Sequence, residues 1–192
     1  MSIRHTFAAA LLAFAGLAQA QTTPLSGDGT WQSFDVSSLL SLSAGVEWID
    51  LSTGAPLSFS FVVDAGSFGV LTVVDTGYAG DTFQVFNGGS LLGGTSAVPV
   101  GIYADVPGLV DPELALADPA FSRASFVLGA GSYSIGGLLD QSVLDAPGGA
   151  RLDSTIGSIR LAVSPVPEAG SLTLMLAGLG LMGFIARRRR AP

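Results

Sequence analysis

Between Leu57 and Val63 the apolar residues Leu57, Phe59, Phe61 and Val63 alternate with Ser58 and Ser60. Period two puts one set of side chains on one face of an extended strand and the other set on the opposite face. The same period returns at Phe34 and Val36, between Ser33, Asp35 and Ser37, and at Ile159, Leu161 and Val163, around Arg160 and Ala162. No convincing helical period appears between residues 21 and 164, so this stretch is expected to be all-β.

The strands can be placed from patterning and turn chemistry. Val70 to Val74 is apolar or β-branched on both faces, as a central strand should be. Phe83 and Val85 precede Asn87-Gly88-Gly89, where Asn-Gly is expected to supply the positive φ angles of a tight hairpin into Ser90–Leu92. Ser125–Leu128 and Ser132–Ile135 flank Gly129-Ala130-Gly131 and read as a second hairpin. Val46–Leu51 and Val98–Tyr103 read as further strands, and Gln21–Gly29 as a polar leader. Between Asp105 and Pro119 the prolines Pro107, Pro112 and Pro119 predict a loop. One helical turn is expected at Pro112–Ala117, with Asp111 as its cap. About nine short strands with glycine-rich turns predict an antiparallel β-sandwich of jelly-roll type over residues 21–164. The block Asp75–Phe83, with Val85 and Gly88–Ser96, resembles a strand-loop-hairpin of secreted β-sandwich proteins.

Both ends of the chain read as addresses. Arg4, the apolar run Phe7–Leu17 and Ala18-Gln19-Ala20 have the layout of a secretory signal peptide over residues 1–20, with Ala18 and Ala20 fitting signal peptidase and Gln21 becoming the first mature residue. At the other end, residues 165–192 open with Pro165-Val166-Pro167-Glu168-Ala169. Residues 169–186 carry no charge, and Arg187, Arg188, Arg189 and Arg190 follow. Eighteen residues of helix span roughly 27 Å, close to the hydrocarbon thickness of a bilayer. The arginines would hold their end on the cytoplasmic side.

This order of short motif, apolar helix and arginine cluster resembles the PEP-CTERM sorting signal of Gram-negative envelope proteins. Val166, Pro167, Glu168 and Ala169 occupy the motif, with Ala169 where the family usually has a second proline. The resemblance implies an exosortase, a membrane enzyme with a cysteine nucleophile, that recognises and cuts the tail near the motif. It concerns delivery to the cell surface or extracellular matrix and implies no activity for the domain. The alternative for the tail is an ordinary single-pass anchor with a stop-transfer cluster.

Composition narrows the chemistry. The only histidine is His5, inside the signal peptide, and the chain has neither cysteine nor lysine. Beyond residue 20, therefore, a Ser-His-Asp triad, a cysteine nucleophile, a Schiff-base lysine and a zinc site with nitrogen or sulfur ligands are all excluded. No Gly-Lys-Ser/Thr closes a phosphate-binding loop. Residues 21–164 hold fourteen carboxylates against three arginines, a net charge of −11. Such a surface repels phosphate backbones and excludes nucleic acid as a partner.

The remaining enzymatic route is a carboxylate pair, from Glu47 and Asp50 or from Asp75 and Asp81. The chain is read instead as non-enzymatic. Asp75 and Asp81 bracket a glycine-bearing loop and are candidate calcium ligands, as are Asp105, Asp111 and Glu113, although aspartate is also a common turn former. Trp31, Trp48, Tyr78 and Tyr103 are candidates for a sugar-stacking platform, with Tyr78 expected at an exposed loop tip. An exopolysaccharide-binding module, assisted by calcium, is the alternative function.

Overall fold

The computed structural model describes residues 20–166 and 169–188. Nine strands dominate: β1 (Gln21–Pro24), β2 (Gln32–Ser37), β3 (Leu57–Val63), β4 (Ser67–Asp75), β5 (Thr82–Asn87), β6 (Ser90–Gly94), β7 (Arg123–Leu128), β8 (Gly131–Gln141) and β9 (Ser154–Pro165). Among the described residues two helices complete the elements: α1 (Pro112–Ala117) and α2 (Ala169–Arg188). The strands form two sheets, ordered β1-β3-β8-β5-β6 and β2-β9-β4-β7, which face each other as a sandwich. Every pairing is antiparallel except that of β1 with β3, which is parallel.

Alternation in the sequence becomes alternation of burial. In β3, Phe59, Phe61 and Val63 are buried while Val62 is exposed and Ser60 half-buried. β4 lies between β9 and β7 and is buried from Leu71 onwards, as its apolar run requires. The core centres on an aromatic cluster. Phe34 of β2 stacks on Trp48 with ring centroids 3.8 Å apart, and Phe83 of β5 meets Phe34 edge-on at 5.1 Å. Trp48 also meets Phe59 edge-on.

Two glycines make room for this stack. Phe34 lies opposite Gly157 in the β2–β9 ladder, and a Cβ on Gly157 would come within 3 Å of three atoms of the Phe34 ring. A Cβ on Gly137 would likewise strike the Trp48 indole. Aromatic rings can cross the sandwich there only because these positions carry no side chain.

Five expectations need correction. Gln21–Pro24 is a strand, not merely a leader: the Gln21 N–H donates to the Pro56 carbonyl and the segment continues along β3. Val46–Leu51 is not a strand. Its Trp48 N–H bonds Gly137 of β8, while the Ile49 N–H bonds Asp35 of β2. The segment thus steps from one sheet to the other, which is why neither of its faces could be assigned. Val98–Tyr103 makes only an isolated bridge, from Ile102 to Leu144.

Gly129-Ala130 does not turn a hairpin. β8 has β3 on one edge and β5 on the other, leaving no edge for β7, which pairs with β4 in the opposite sheet. The hairpin at Asn87 is real, but Gly88 and Gly89 supply its positive φ angles (53° and 85°). The Asn87 side chain instead accepts from the Ser134 N–H.

α1 forms as its residues dictate, with Pro112 in the first turn and Asp111 Oδ1 accepting from the Glu113 N–H at 2.9 Å. α2 runs for 20 residues, and among its described side chains Leu174, Met175, Leu176, Leu179, Leu181 and Met182 are exposed. Among the described residues, no helix is long and apolar enough to cross a membrane. The helix expected over residues 169–186 is present.

Candidate functional site

Two regions carry the candidate residues: the start of the tail and the loop between β4 and β5. The tail leaves the sandwich directly. Pro165 is the last residue of β9, paired with Ser67, and the exposed Val166 donates its N–H to the Gly66 carbonyl at 2.8 Å. Ala169 begins α2, and Arg187 and Arg188 end it. Pro167 and Glu168 of the motif, Arg189 and Arg190, and Ala18 of the signal cleavage site lie outside the described residues. Ala20 is exposed, immediately before β1.

The β4–β5 loop holds the strongest electrostatic feature. Asp75, at the end of β4, and Asp81, just before β5, are both wholly buried. Asp75 Oδ1 accepts from the Gly77 N–H at 3.0 Å and Asp81 Oδ1 from the Val143 N–H at 2.8 Å. Neither Oδ2 has a partner.

Burial, reinforced by the Asp81 charge, pushes the Asp75 carboxyl up to about 9. Burial also raises Asp81, to about 6, against the opposing pull of Thr155 and the Val143 N–H. Thr155 of β9 is 4% exposed, and its hydroxyl makes no hydrogen bond of normal geometry. That hydroxyl faces the loop, because a Cβ on Gly77 would overlap it. Sequence reasoning found the two aspartates and missed Thr155, which lies far along the chain with no local pattern to mark it.

The other carboxylates are absorbed locally. Glu47 accepts from the hydroxyls of Ser41 and Ser43, and Asp50 from Ser52 and Thr53. Both therefore serve turns and do not face one another as a catalytic pair. Asp111 caps α1, while Glu113 pairs with Arg160 and accepts from the Trp31 indole at 2.9 Å. Asp105, Asp111 and Glu113 thus form no cation cage. Among the described residues no group of three or more histidine, cysteine, aspartate or glutamate side chains could hold a metal ion.

The aromatic candidates do not make a platform. Trp48 is in the core, and one face of Trp31 is covered by the Arg160 guanidinium, 4.3 Å from its centroid. Tyr78 and Tyr103 meet edge-on at 4.9 Å, and Tyr78 is only half-buried where an exposed loop tip was expected. A hollow of about 280 Å³ lies beside the loop, lined by Tyr78, Leu109, Thr155 and Leu40 among others.

Residues 165–190 match the PEP-CTERM protein-sorting motif, so the chain carries this signal at its C-terminal end. The motif implies export and processing by an exosortase. No curated protein matches the sequence. Among solved structures, the chain is similar to the pre-peptidase C-terminal domain of a collagenase from Bacillus anthracis, at 10% identity, over 76% of this chain and 96% of that one, with a TM-score of 0.36. It is also similar to PliG of Aeromonas hydrophila, a periplasmic inhibitor of g-type lysozyme, at 12% identity, over 76% and 98%, with a TM-score of 0.35. Likenesses this distant carry nothing about function.

Proposed function

We propose that this is an exported, non-enzymatic β-sandwich protein, held first in the inner membrane and then released to the cell surface or extracellular matrix. The observation that carries the reading is the sorting motif at residues 165–190, which begins where the last strand ends. The residues 1–20 have the order of a signal peptide, and signal peptidase would act after Ala20. In the precursor, the uncharged stretch of residues 169–186 would serve as the membrane anchor. These 18 residues would extend about 27 Å as a helix, and four arginines follow Ala186.

The strand order supports a jelly roll. From β2 to β9 the chain crosses between the sheets at every connection except the β5–β6 hairpin, and the resulting orders are β3-β8-β5-β6 and β2-β9-β4-β7. β1 extends the first sheet by one strand. Two observations favour a non-enzymatic domain. The sequence beyond residue 20 lacks histidine, cysteine and lysine, and the exposed carboxylates cap turns and α1 instead of converging in a cleft.

Glu168 is the test. The apolar helix and arginines suffice to halt translocation, but they mark no site for cutting. The Pro167-Glu168 pair gives a processing enzyme a sequence to recognise. Glu168→Ala should therefore leave the precursor in the inner membrane while the wild type reaches the surface. If both fractionate alike, the tail is a plain anchor.

A further inference from the structure

We propose that Asp75, Asp81 and the Thr155 hydroxyl form a binding site for a divalent cation of the calcium type beneath the β4–β5 loop. Asp75 Oδ2, Asp81 Oδ2 and the Thr155 hydroxyl make no hydrogen bond of normal geometry, although Thr155 lies close enough to act on Asp81. Asp75 and Asp81 are 0% exposed and Thr155 is 4% exposed, so bulk water does not satisfy them. Buried carboxylates are ordinarily paired with a cation or coordinate a metal. Here the nearest candidate is Arg151, which acts on Asp81 more weakly than burial or any of its hydrogen bonds and is itself paired with Asp153 at 2.8 Å.

A hard cation fits the chemistry. All three groups are oxygens, and calcium takes six to eight oxygen ligands from carboxylates, carbonyls and water at flexible geometry. Two carboxylates balance its charge. Only part of its shell comes from side chains, because among the described residues no third carboxylate joins the pair. Loop carbonyls and water would complete it. A hollow lined by Gly77, Tyr78 and Thr155 lies against the same loop.

The placement also says what the ion would do. Asp75 ends β4 and Thr155 lies in β9, both in one sheet, whereas Asp81 leads into β5 of the other. Asp81 also holds Val143, beyond the end of β8. A cation on all three would tie the two sheets together at this end and fix the loop that presents Tyr78.

The test uses the full-length protein in non-ionic detergent, stripped with chelator and titrated with calcium chloride. At about a hundred times the dissociation constant the melting temperature should rise by roughly 5–10 °C. Asp75→Asn and Asp81→Asn should each abolish the rise, while Asp140→Asn, at an exposed carboxylate bonded to Gln84, should keep it. Thr155→Val retains the side chain's shape and removes only the hydroxyl, so it keeps the question open should an aspartate variant fail to fold. It should weaken calcium binding at least about tenfold. Terbium bound at the site should show luminescence sensitised by Tyr78. No rise in the wild type, or a rise undiminished in all three site variants, overturns the proposal.

Discussion

Replacing Gly157 with alanine adds one methyl group at the most crowded point of the sandwich. The new Cβ would come within 3 Å of Cζ, Cε2 and Cε1 of Phe34, so the whole ring must move. It has little room, with Trp48 stacked at 3.8 Å and Phe83 edge-on at 5.1 Å. Overpacking of this kind costs about 1–3 kcal/mol. Disturbing the stacked pair adds about 0.5–1.5 kcal/mol. Against this, alanine reduces the entropy of the unfolded chain and returns about 0.4–1 kcal/mol.

The net expectation is a loss of about 2–3 kcal/mol, or a fall in melting temperature of roughly 8 °C. Gly129→Ala is the matched control, because nothing lies within 4 Å of its Cβ and its φ is not positive. It should be neutral or stabilising by up to about 1 kcal/mol. Urea unfolding followed by tryptophan fluorescence measures both. Phe34→Leu in the Gly157→Ala background should recover part of the loss through a coupling of about 0.5–3 kcal/mol. If the two glycine variants agree within about 0.5 kcal/mol, the aromatic stack does not depend on Gly157.

Three further outcomes follow. Phe61→Asp should unfold the domain, since it places an unpaired charge in the core against Tyr133, whereas Ser60→Asp, on the other face of β3, should cost far less; equal melting temperatures would mean that the register of β3 is wrong. With chelator present, stability should fall as pH rises from about 4 to 9. The folded state holds protons on Asp75, raised to about 9, and on Asp81, raised to about 6, that the unfolded chain releases near 3.8, so the stabilisation is full below the unfolded value and lost as pH passes the folded ones. A flat melting temperature from pH 5 to 9 would show that these carboxyls are not buried. Asp111→Ala should cost about 1 kcal/mol through loss of the α1 cap, measured by urea unfolding, and no change would remove the cap from the account of that helix.

Strand positions were legible wherever one face is buried and the other is not. Ser58 and Ser60 declare β3, and Arg160 and Ala162 declare β9, because period two survives in the residue types themselves. Which strands pair was not legible. Gly129-Ala130 suits a hairpin or a crossing between sheets equally well, and the choice is made by β3 and β5, which occupy both edges of β8. The segment around Trp48 failed for a related reason: it serves both sheets in turn, so no single face exists to be read.

At the candidate cation site, Asp75 and Asp81 stood out as carboxylates bracketing a glycine-bearing loop. Their complete burial and the approach of Thr155 depend on the fold of β9 over that loop, and no short-range pattern encodes such a meeting. The sorting tail was the opposite case. Its motif, apolar run and arginines are contiguous, so the chemistry of each part could be read without knowing the fold.

The intact mass of the wild-type protein recovered from the cell surface tests the central claim most directly. If residues 165–190 act as a processed sorting signal, that mass should lack residues 1–20 and everything from Leu172 through Arg190 to the end of the chain. A surface-bound mass that includes all four arginines, Arg187 to Arg190, would contradict it and leave the tail as an uncut membrane anchor.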